Sequence, residues 1–468
     1  MIMQYVSTRG GAAPQTFRDV VLAGMASDGG LFLPDALPDF SGRLGAWRAG
    51  SYTELCAEIM TPFVGDDPDA ATLAALIERA YATFDTPAVA PVVMLGPLHV
   101  VELFHGPTLA FKDVALQFLG QLFEHYLSSD GRRMTVVGAT SGDTGSAAIH
   151  ALKGKANVEV FILYPEGRVS PMQERQMTTV AESNIHAVAV EGSFDDAQAI
   201  VKGLFADRAF NERYGLGAIN SINWARVLAQ TVYFFSSYLH LVRSGVVGLG
   251  EPVRCTVPTG NFGHIFAGHL ARRMGLPIEH LVLATNANDI LYRFIQSGTY
   301  SLGEVAQTLS PSMDIQVASN FERYLYELAG NDSALLGQWL ETFAQSGELT
   351  LAPAQQEAVE AEFLSMAVDD QQTLEVITRM YREHGYLLDP HSAIAIQAGL
   401  AHAVPEMPML AMATAHPAKF ASAIEQAIKQ PPPLPEQLSG LAALPQRKIR
   451  LPATQAAVRQ FIQDTLPA

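Results

Sequence analysis

The feature that most constrains this chain is an alternation: strand-sized apolar runs, without polar residues every second position, stand between amphipathic helical patterns. The runs lie at 134–139, 158–164, 186–191, 253–257, 280–284 and 408–413. A strand that is apolar on both sides must be covered on both faces. Such strands alternating with helices give an α/β architecture. Between them, Ser193 and Asp196 open a helix as a capping box, with Ala197, Ile200, Val201, Leu204 and Phe205 as its apolar stripe. Another helical pattern covers about 224–242, preceded by the polar cap candidates Asn220, Ser221 and Asn223. No repeat with a period of roughly 20–50 residues is present, which argues against a solenoid or propeller.

Composition sets the outer limits. Of 468 residues, 49% are hydrophobic and 16% charged, which supplies a large core and excludes a disordered chain. Lys and Arg number 30 against 47 Asp and Glu, a net charge of −17. Nucleic acid and anionic membrane are repelled, and any bound anion needs a local device to hold it. Two cysteines, Cys56 and Cys255, exclude a disulfide scaffold and a cysteine-rich zinc module and suit a reducing compartment. The start, Met1 to Arg9, lacks a signal-peptide run, and the uncharged stretch 87–101 contains Pro87, Pro91 and Pro97, which bars a regular membrane helix there. The expectation is a soluble, cytoplasmic, multidomain protein.

Residues 1–95 differ in texture, with helical patterns around 17–25 and 52–62 and a turn at Asp28-Gly29-Gly30. They read as a separate, mostly helical N-terminal domain closed by the proline-rich segment 87–97. Residues 96–430 form the core, with a helical pattern over 331–384 that ends near Gly385. Gln430-Pro431-Pro432-Pro433-Leu434-Pro435 is a linker, and the tail 431–468 is expected to pack back as a strand and a helix.

Two places repeat one design, an apolar strand followed by a small-residue turn and a helix. The first turn is Ala139-Thr140-Ser141-Gly142-Asp143-Thr144-Gly145 and the second is Pro258-Thr259-Gly260-Asn261-Phe262-Gly263. Each offers free backbone N–H groups at a helix N-terminus, an anion cradle that needs no basic side chain. Taken alone, either is ordinary strand-to-helix punctuation. Neither is a P-loop, and Gly248-Leu249-Gly250 precedes a strand and lacks the third glycine of a dinucleotide fingerprint. The third segment is His105-Gly106-Pro107-Thr108-Leu109-Ala110-Phe111-Lys112-Asp113. It places Lys112 in the first turn of a helix among apolar neighbours, where dipole and desolvation both disfavour the charged amine. A lone lysine is ordinarily a solvated one. One sheltered amine nucleophile together with two phosphate-type cradles fits pyridoxal phosphate. No metal-ligand spacing, His-Glu-x-x-His or Gly-x-Ser-x-Gly motif occurs.

These segments, in this order, resemble the long branch of the threonine synthase family, pyridoxal-phosphate enzymes of the tryptophan synthase β-like fold, also called fold type II. The likeness includes Tyr5-Val6-Ser7-Thr8-Arg9-Gly10, Asp28 to Pro34, the three segments above, Asn220 to Arg226, Asp389-Pro390-His391-Ser392-Ala393 and Thr414-Ala415-His416-Pro417-Ala418-Lys419-Phe420. The resemblance implies two open sheet-and-helix domains with an extra, mostly helical N-terminal domain. It implies Lys112 as the lysine that holds the cofactor, Gly260, Asn261, Phe262 and Gly263 as the loop for the cofactor phosphate, and Thr414 as the hydroxyl beside the pyridine nitrogen. Thr140, Ser141 and Thr144 would face the substrate, and Asn220, Ser221 and Arg226 would grip its phosphate. Arg226 matters most chemically there, because its planar fork suits bidentate recognition.

The implied reaction is conversion of O-phospho-L-homoserine and water to L-threonine and phosphate, by γ-elimination and β-addition of water in a cytoplasmic monomer or homodimer. The alternative is a related dehydratase or phospholyase releasing a 2-oxo acid. Two positions depart from the pattern. His264 stands where many relatives carry Asp, and Asp143 stands where shorter relatives have Asn near the cofactor's phenolic oxygen, a place that repels a carboxylate. Both, and His391, are left without a role.

Overall fold

The computed structural model describes residues 3–466. Two largely parallel sheets carry the chain. One has six strands in the order Phe363–Ala367, Ile278–Thr285, Val253–Pro258, Met409–Ala413, Leu98–Glu102 and Val92–Leu95. All neighbours in it are parallel except the last pair. The other has five parallel strands in the order Ile449–Pro452, Ile185–Glu191, Val158–Pro165, Met134–Ala139 and Leu216–Gly217. Every apolar run of the sequence is a strand here. Met409–Ala413 is buried at all its positions, as a strand covered on both faces must be. The capping box at Ser193 and Asp196 is formed, opening the helix Phe194–Ala206. No helix among the described residues is long and apolar enough to cross a membrane.

Three expectations need correction. The segment 331–384 is not wholly helical: Glu348–Thr350 and Phe363–Ala367 are strands between the helices Ser333–Ser346, Pro353–Glu360 and Asp370–His384. Phe363–Ala367 is a five-residue edge strand with mixed burial, too short for its period to be told from a helix. The proline-rich stretch 87–97 is not a closing linker. Val92–Leu95 and Leu98–Glu102 form an antiparallel hairpin about Gly96, whose φ is +58°, so a boundary at 95 falls beside its turn. Finally, the first 95 residues do contain the helices Phe17–Ala23, Tyr52–Val64 and Ala70–Tyr81, but they share the main core. Tyr5 and Phe63 pack on Trp224 at ring separations of 5.8 and 6.1 Å. The tail folds as expected, with Ile449–Pro452 added to the second sheet and the helix Gln455–Thr465 after it.

The helix Gly263–Arg273, which follows the second glycine-rich turn, is anchored by a buried charge cluster. His269 lies between Glu362 (Nδ1 to Oε1, 2.5 Å) and Glu327 (Nε2 to Oε2, 2.7 Å), and Arg273 also reaches Glu327. Burial alone would depress the imidazolium, but the two carboxylates outweigh it and raise His269 to about 9. Because the folded value exceeds the unfolded one of about 6.5, this contribution to stability is complete below about pH 6.5 and is lost as pH rises through about 9. Thermal midpoints of the native protein and His269→Gln should therefore differ most near pH 6 and converge by about pH 10. A gap that stays constant over that range would show His269 to be uncharged in the fold.

Candidate active site

Lys112 opens the helix Lys112–Asp130. The preceding segment is clipped to residues 414–416 in antiparallel fashion: Phe111 N–H donates to the Thr414 carbonyl at 2.8 Å, and His416 N–H donates to the Leu109 carbonyl at 3.1 Å. That clip sets the start of the Lys112 helix against residues 414–416. The Asp113 carboxylate folds back to accept from the Thr108 N–H and hydroxyl at 2.8 and 2.7 Å. Burial pushes its carboxyl up to about 6 against those donors. A Cβ on Gly106 would fall 2.4 Å from Asp113 Cβ, so the close return requires glycine.

The Lys112 amine is 3.4 Å from Ser312 Oγ and 3.6 Å from Asp143 Oδ2. Burial lowers its proton affinity. Asp143 opposes that shift, and the positive charges of Lys419 and Arg226 add to it. Asp143 Oδ1 receives Lys419 Nζ at 2.8 Å and Gln173 Nε2 at 2.8 Å, and Lys419 Nζ also donates to the Thr108 carbonyl at 2.8 Å. Although burial opposes ionisation, the two lysines hold the Asp143 carboxyl well below the usual carboxylate range. This answers the difficulty raised by a carboxylate at that position. Its charge is spent on Lys419 and Lys112, so it presents no free anion to the site.

Asp143 is the first residue of the helix Asp143–Leu152, and the turn before it is built by Thr140. The Thr140 hydroxyl accepts from Gly142 N–H at 3.0 Å and Gly145 N–H at 2.8 Å, leaving its own hydrogen to donate. Gly142 has φ +138°, where a Cβ would also strike the Gln173 amide. Ser141 and Thr144 are half-buried on the same turn.

In the second turn Phe262 takes φ +62° and its ring packs against Phe321 at 5.1 Å. The Asn261 carbonyl accepts from Asn320 N–H at 3.0 Å, and its side chain accepts from Ser319, whose hydroxyl pairs with Ser221 at 3.0 Å. Cβ atoms on Gly260 and Gly263 would come within 3.0 Å of the Ser312 carbonyl oxygen and of Asn320 Nδ2.

Arg226 lies in the first turn of the helix Trp224–Arg243, which is capped by Asn223. It is only 3% exposed, yet Nε and Nη1 have no hydrogen-bond partner. Burial pushes its guanidinium down to about 10. Asn220 is exposed and Ser221 half-buried. No hydrogen bond joins either to Arg226; Ser221 is tied to the Asn261 turn instead.

Lys419, Gln173 and Ser312 were not singled out from the sequence. Lys419 lies in the segment Thr414 to Phe420, in which the resemblance gives a role to Thr414 alone. Gln173 and Ser312 had no local signal, because only tertiary folding brings them to Lys112. His264 is buried, stacked on Phe111 at 4.9 Å, with both ring nitrogens unpartnered, and burial pushes it down to about 3. Among the described residues no cluster of three or more His, Cys, Asp or Glu is arranged for a metal.

These residues fit pyridoxal phosphate: a desolvated amine, a cradle that a side chain at Gly260 would crowd, and a buried guanidinium with donors to spare. Such a lysine between two parallel sheets defines a pyridoxal-phosphate-dependent enzyme of the tryptophan synthase β-like fold. Family models agree along the chain: "Threonine synthase N terminus" matches residues 4–81, "Pyridoxal-phosphate dependent enzyme" 96–361, and "Threonine synthase, C-terminal" 392–462. The threonine synthase of Pseudomonas aeruginosa is 47% identical over 99% of this chain and 98% of its own. The PLP-bound threonine synthase structure from Brucella melitensis superimposes with a TM-score of 0.95, at 46% identity and full coverage of both chains. The yeast threonine synthase structure gives 0.93 at 39% identity, covering 99% of each chain. The chain belongs to the threonine synthase family and is a pyridoxal-phosphate-dependent lyase.

Gly260→Val should release cofactor on dialysis while the far-UV signal of the folded chain persists, because backbone atoms of Ser312 and Met313 lie 3.0 and 3.2 Å from the added Cβ. Unchanged retention would make the turn a simple connector.

Proposed function

We propose that this enzyme converts O-phospho-L-homoserine and water to L-threonine and phosphate, working in the cytoplasm as a monomer or homodimer. Lys112 holds the cofactor, the turn with Gly260, Asn261, Phe262 and Gly263 takes its phosphate, and Thr414 faces its ring nitrogen. Bound there, the cofactor supplies an electron sink for the carbanions that elimination and addition require.

The chain's own residues do the rest. Lys112 Nζ, desolvated and therefore easily freed of its proton, takes and returns protons at the substrate's Cα and Cβ. Asp143 and Lys419 set the field in which it does so. Thr140, Ser141 and Thr144, at a helix N-terminus, receive the substrate carboxylate, an anion that such a terminus favours. Arg226 binds the γ-phosphate, with Asn220 and Ser221 in the segment just before the same helix as its further partners.

The observation that carries this reading is the buried guanidinium of Arg226 with two unpartnered nitrogens, close enough to Lys112 for its charge to be felt there. Leaving such donors unmet costs stability, and a phosphorylated substrate meets them. A dehydratase acting on serine or threonine brings no phosphate for that arginine to hold.

Variants at two positions test the assignment. Borohydride reduction should fix the cofactor on the peptide containing Lys112, and Lys112→Ala should fold but not turn over; attachment elsewhere would refute the role. Arg226→Ala should keep the cofactor spectrum and lose about 3 kcal/mol, roughly a hundredfold, in kcat/KM for phosphohomoserine. Arg226→Lys should recover only part of that, lacking the fork. Equal losses with phosphorylated and unphosphorylated amino acids, or 2-oxobutyrate as the main product, would move the reading to a dehydratase.

A further inference from the structure

Asp389 is wholly buried, and hydrogen bonds occupy both of its carboxylate oxygens. Oδ2 accepts from the His391 N–H at 3.0 Å and from His391 Nδ1 at 2.8 Å. Oδ1 accepts from the Ser392 N–H at 3.1 Å and from the Ser392 hydroxyl. The ring of His391 is thereby assigned without ambiguity. A carboxylate only accepts, so Nδ1 carries the hydrogen, and Nε2 presents its lone pair to the Ser312 N–H at 3.3 Å, a group that only donates.

Ser312 in turn is the residue whose hydroxyl meets Lys112 Nζ. It lies in the short turn Pro311–Met313, within an irregular stretch. That stretch is pinned just beyond Ser312 by Asp314, which accepts from Asn286, Asn288 and Thr308. What fixes Ser312 itself against the lysine is the bond to His391. The other half of Asp389 acts in parallel, because Ser392 Oγ accepts the Thr414 N–H at 2.9 Å.

We propose that Asp389 and His391 are positioning residues for Lys112, acting through Ser312, so that one buried carboxylate sets the register of the amine and of Thr414 together. The inference rests on Lys112 being the cofactor lysine, but not on which substrate is used. The charged groups around that amine, Asp143, Lys419 and Arg226, are on other elements and are untouched by the variants below.

The test uses the full-length chain stripped of cofactor. Acetylation of Lys112, followed by mass spectrometry of its peptide across pH, gives the midpoint at which the amine becomes reactive. An oxygen acceptor favours the ammonium form, so Ser312→Ala should move that midpoint down by about half a unit or more. His391→Phe preserves the contact with Phe420, whose ring centre is 4.9 Å away, but removes the acceptor. It should shift the midpoint the same way and add nothing in the Ser312→Ala background. With cofactor restored, it should lower kcat roughly tenfold with KM within about twofold. His391→Gln, which offers an amide oxygen to the Ser312 N–H, should return most of both effects. A wild-type midpoint in His391→Phe, or a shift that adds to that of Ser312→Ala, would overturn the proposal. Labelling needs no substrate, so an error in the assigned reaction would leave this result standing. If His391→Phe does not fold, His391→Leu, which likewise offers the Ser312 N–H no acceptor, takes its place, and a wild-type midpoint there overturns the proposal.

Discussion

The site depends on one buried charge balance, the Asp143 carboxylate held between Lys419 and Lys112. A carboxylate in that position cannot stand alone, since an unpaired buried charge costs several kcal/mol even after relaxation. Its partners come from both halves of the molecule. Asp143 begins a helix that packs with the five-stranded sheet, Gln173 lies on the next helix along, Lys419 follows a central strand of the six-stranded sheet, and Lys112 begins the helix clipped to that strand's end. The ion pairing that satisfies Asp143 therefore also ties the two sheets together at the cleft. With the cofactor placed as proposed, the same pairing would keep Asp143 from repelling its phenolic oxygen.

Around this balance lie two glycine-rich turns that offer backbone N–H groups at helix N-termini. Both glycine-rich turns open helices, and in each a missing Cβ lets another element approach: Gln173 against Gly142, and Ser312 against Gly260. In a chain with a net charge of −17 this arrangement matters. Under the proposed function, phosphate and carboxylate are met by backbone N–H groups at helix starts and by a guanidinium screened from solvent, and a basic surface is not needed.

Much of this was legible in the sequence, and what was not has a physical reason. Strands buried on both faces announce themselves by composition, so all the long central strands were found. The short edge strands Phe363–Ala367 and Val92–Leu95 were missed because a few part-exposed residues carry no distinctive period. Leu98–Glu102, although internal, is only five residues long and follows a proline-rich segment. Lys112 was visible from its place at a helix start among apolar neighbours. Lys419 and Ser312 were not, since their meaning comes from what folding places opposite them. The first 95 residues read as a separate domain because their texture differs, but texture does not report that Tyr5 and Phe63 share Trp224 with the rest of the core.

The strand order has a consequence for how the protein is made. Met409–Ala413 lies between Val253–Pro258 and Leu98–Glu102, so the middle of the larger sheet is supplied more than 300 residues after the strand it must join. As synthesis proceeds from the N-terminus, those two strands emerge with unpaired backbone edges facing a gap that nothing already made fills. Contacts this distant in sequence form slowly, because loop closure must precede any gain from pairing. The nascent chain must keep an incomplete sheet from pairing with its neighbours until residue 413 has left the ribosome. The same strand then delivers Thr414 and Lys419 to the cleft, so closure of the sheet and assembly of the lysine's electrostatic surroundings are one event in biogenesis.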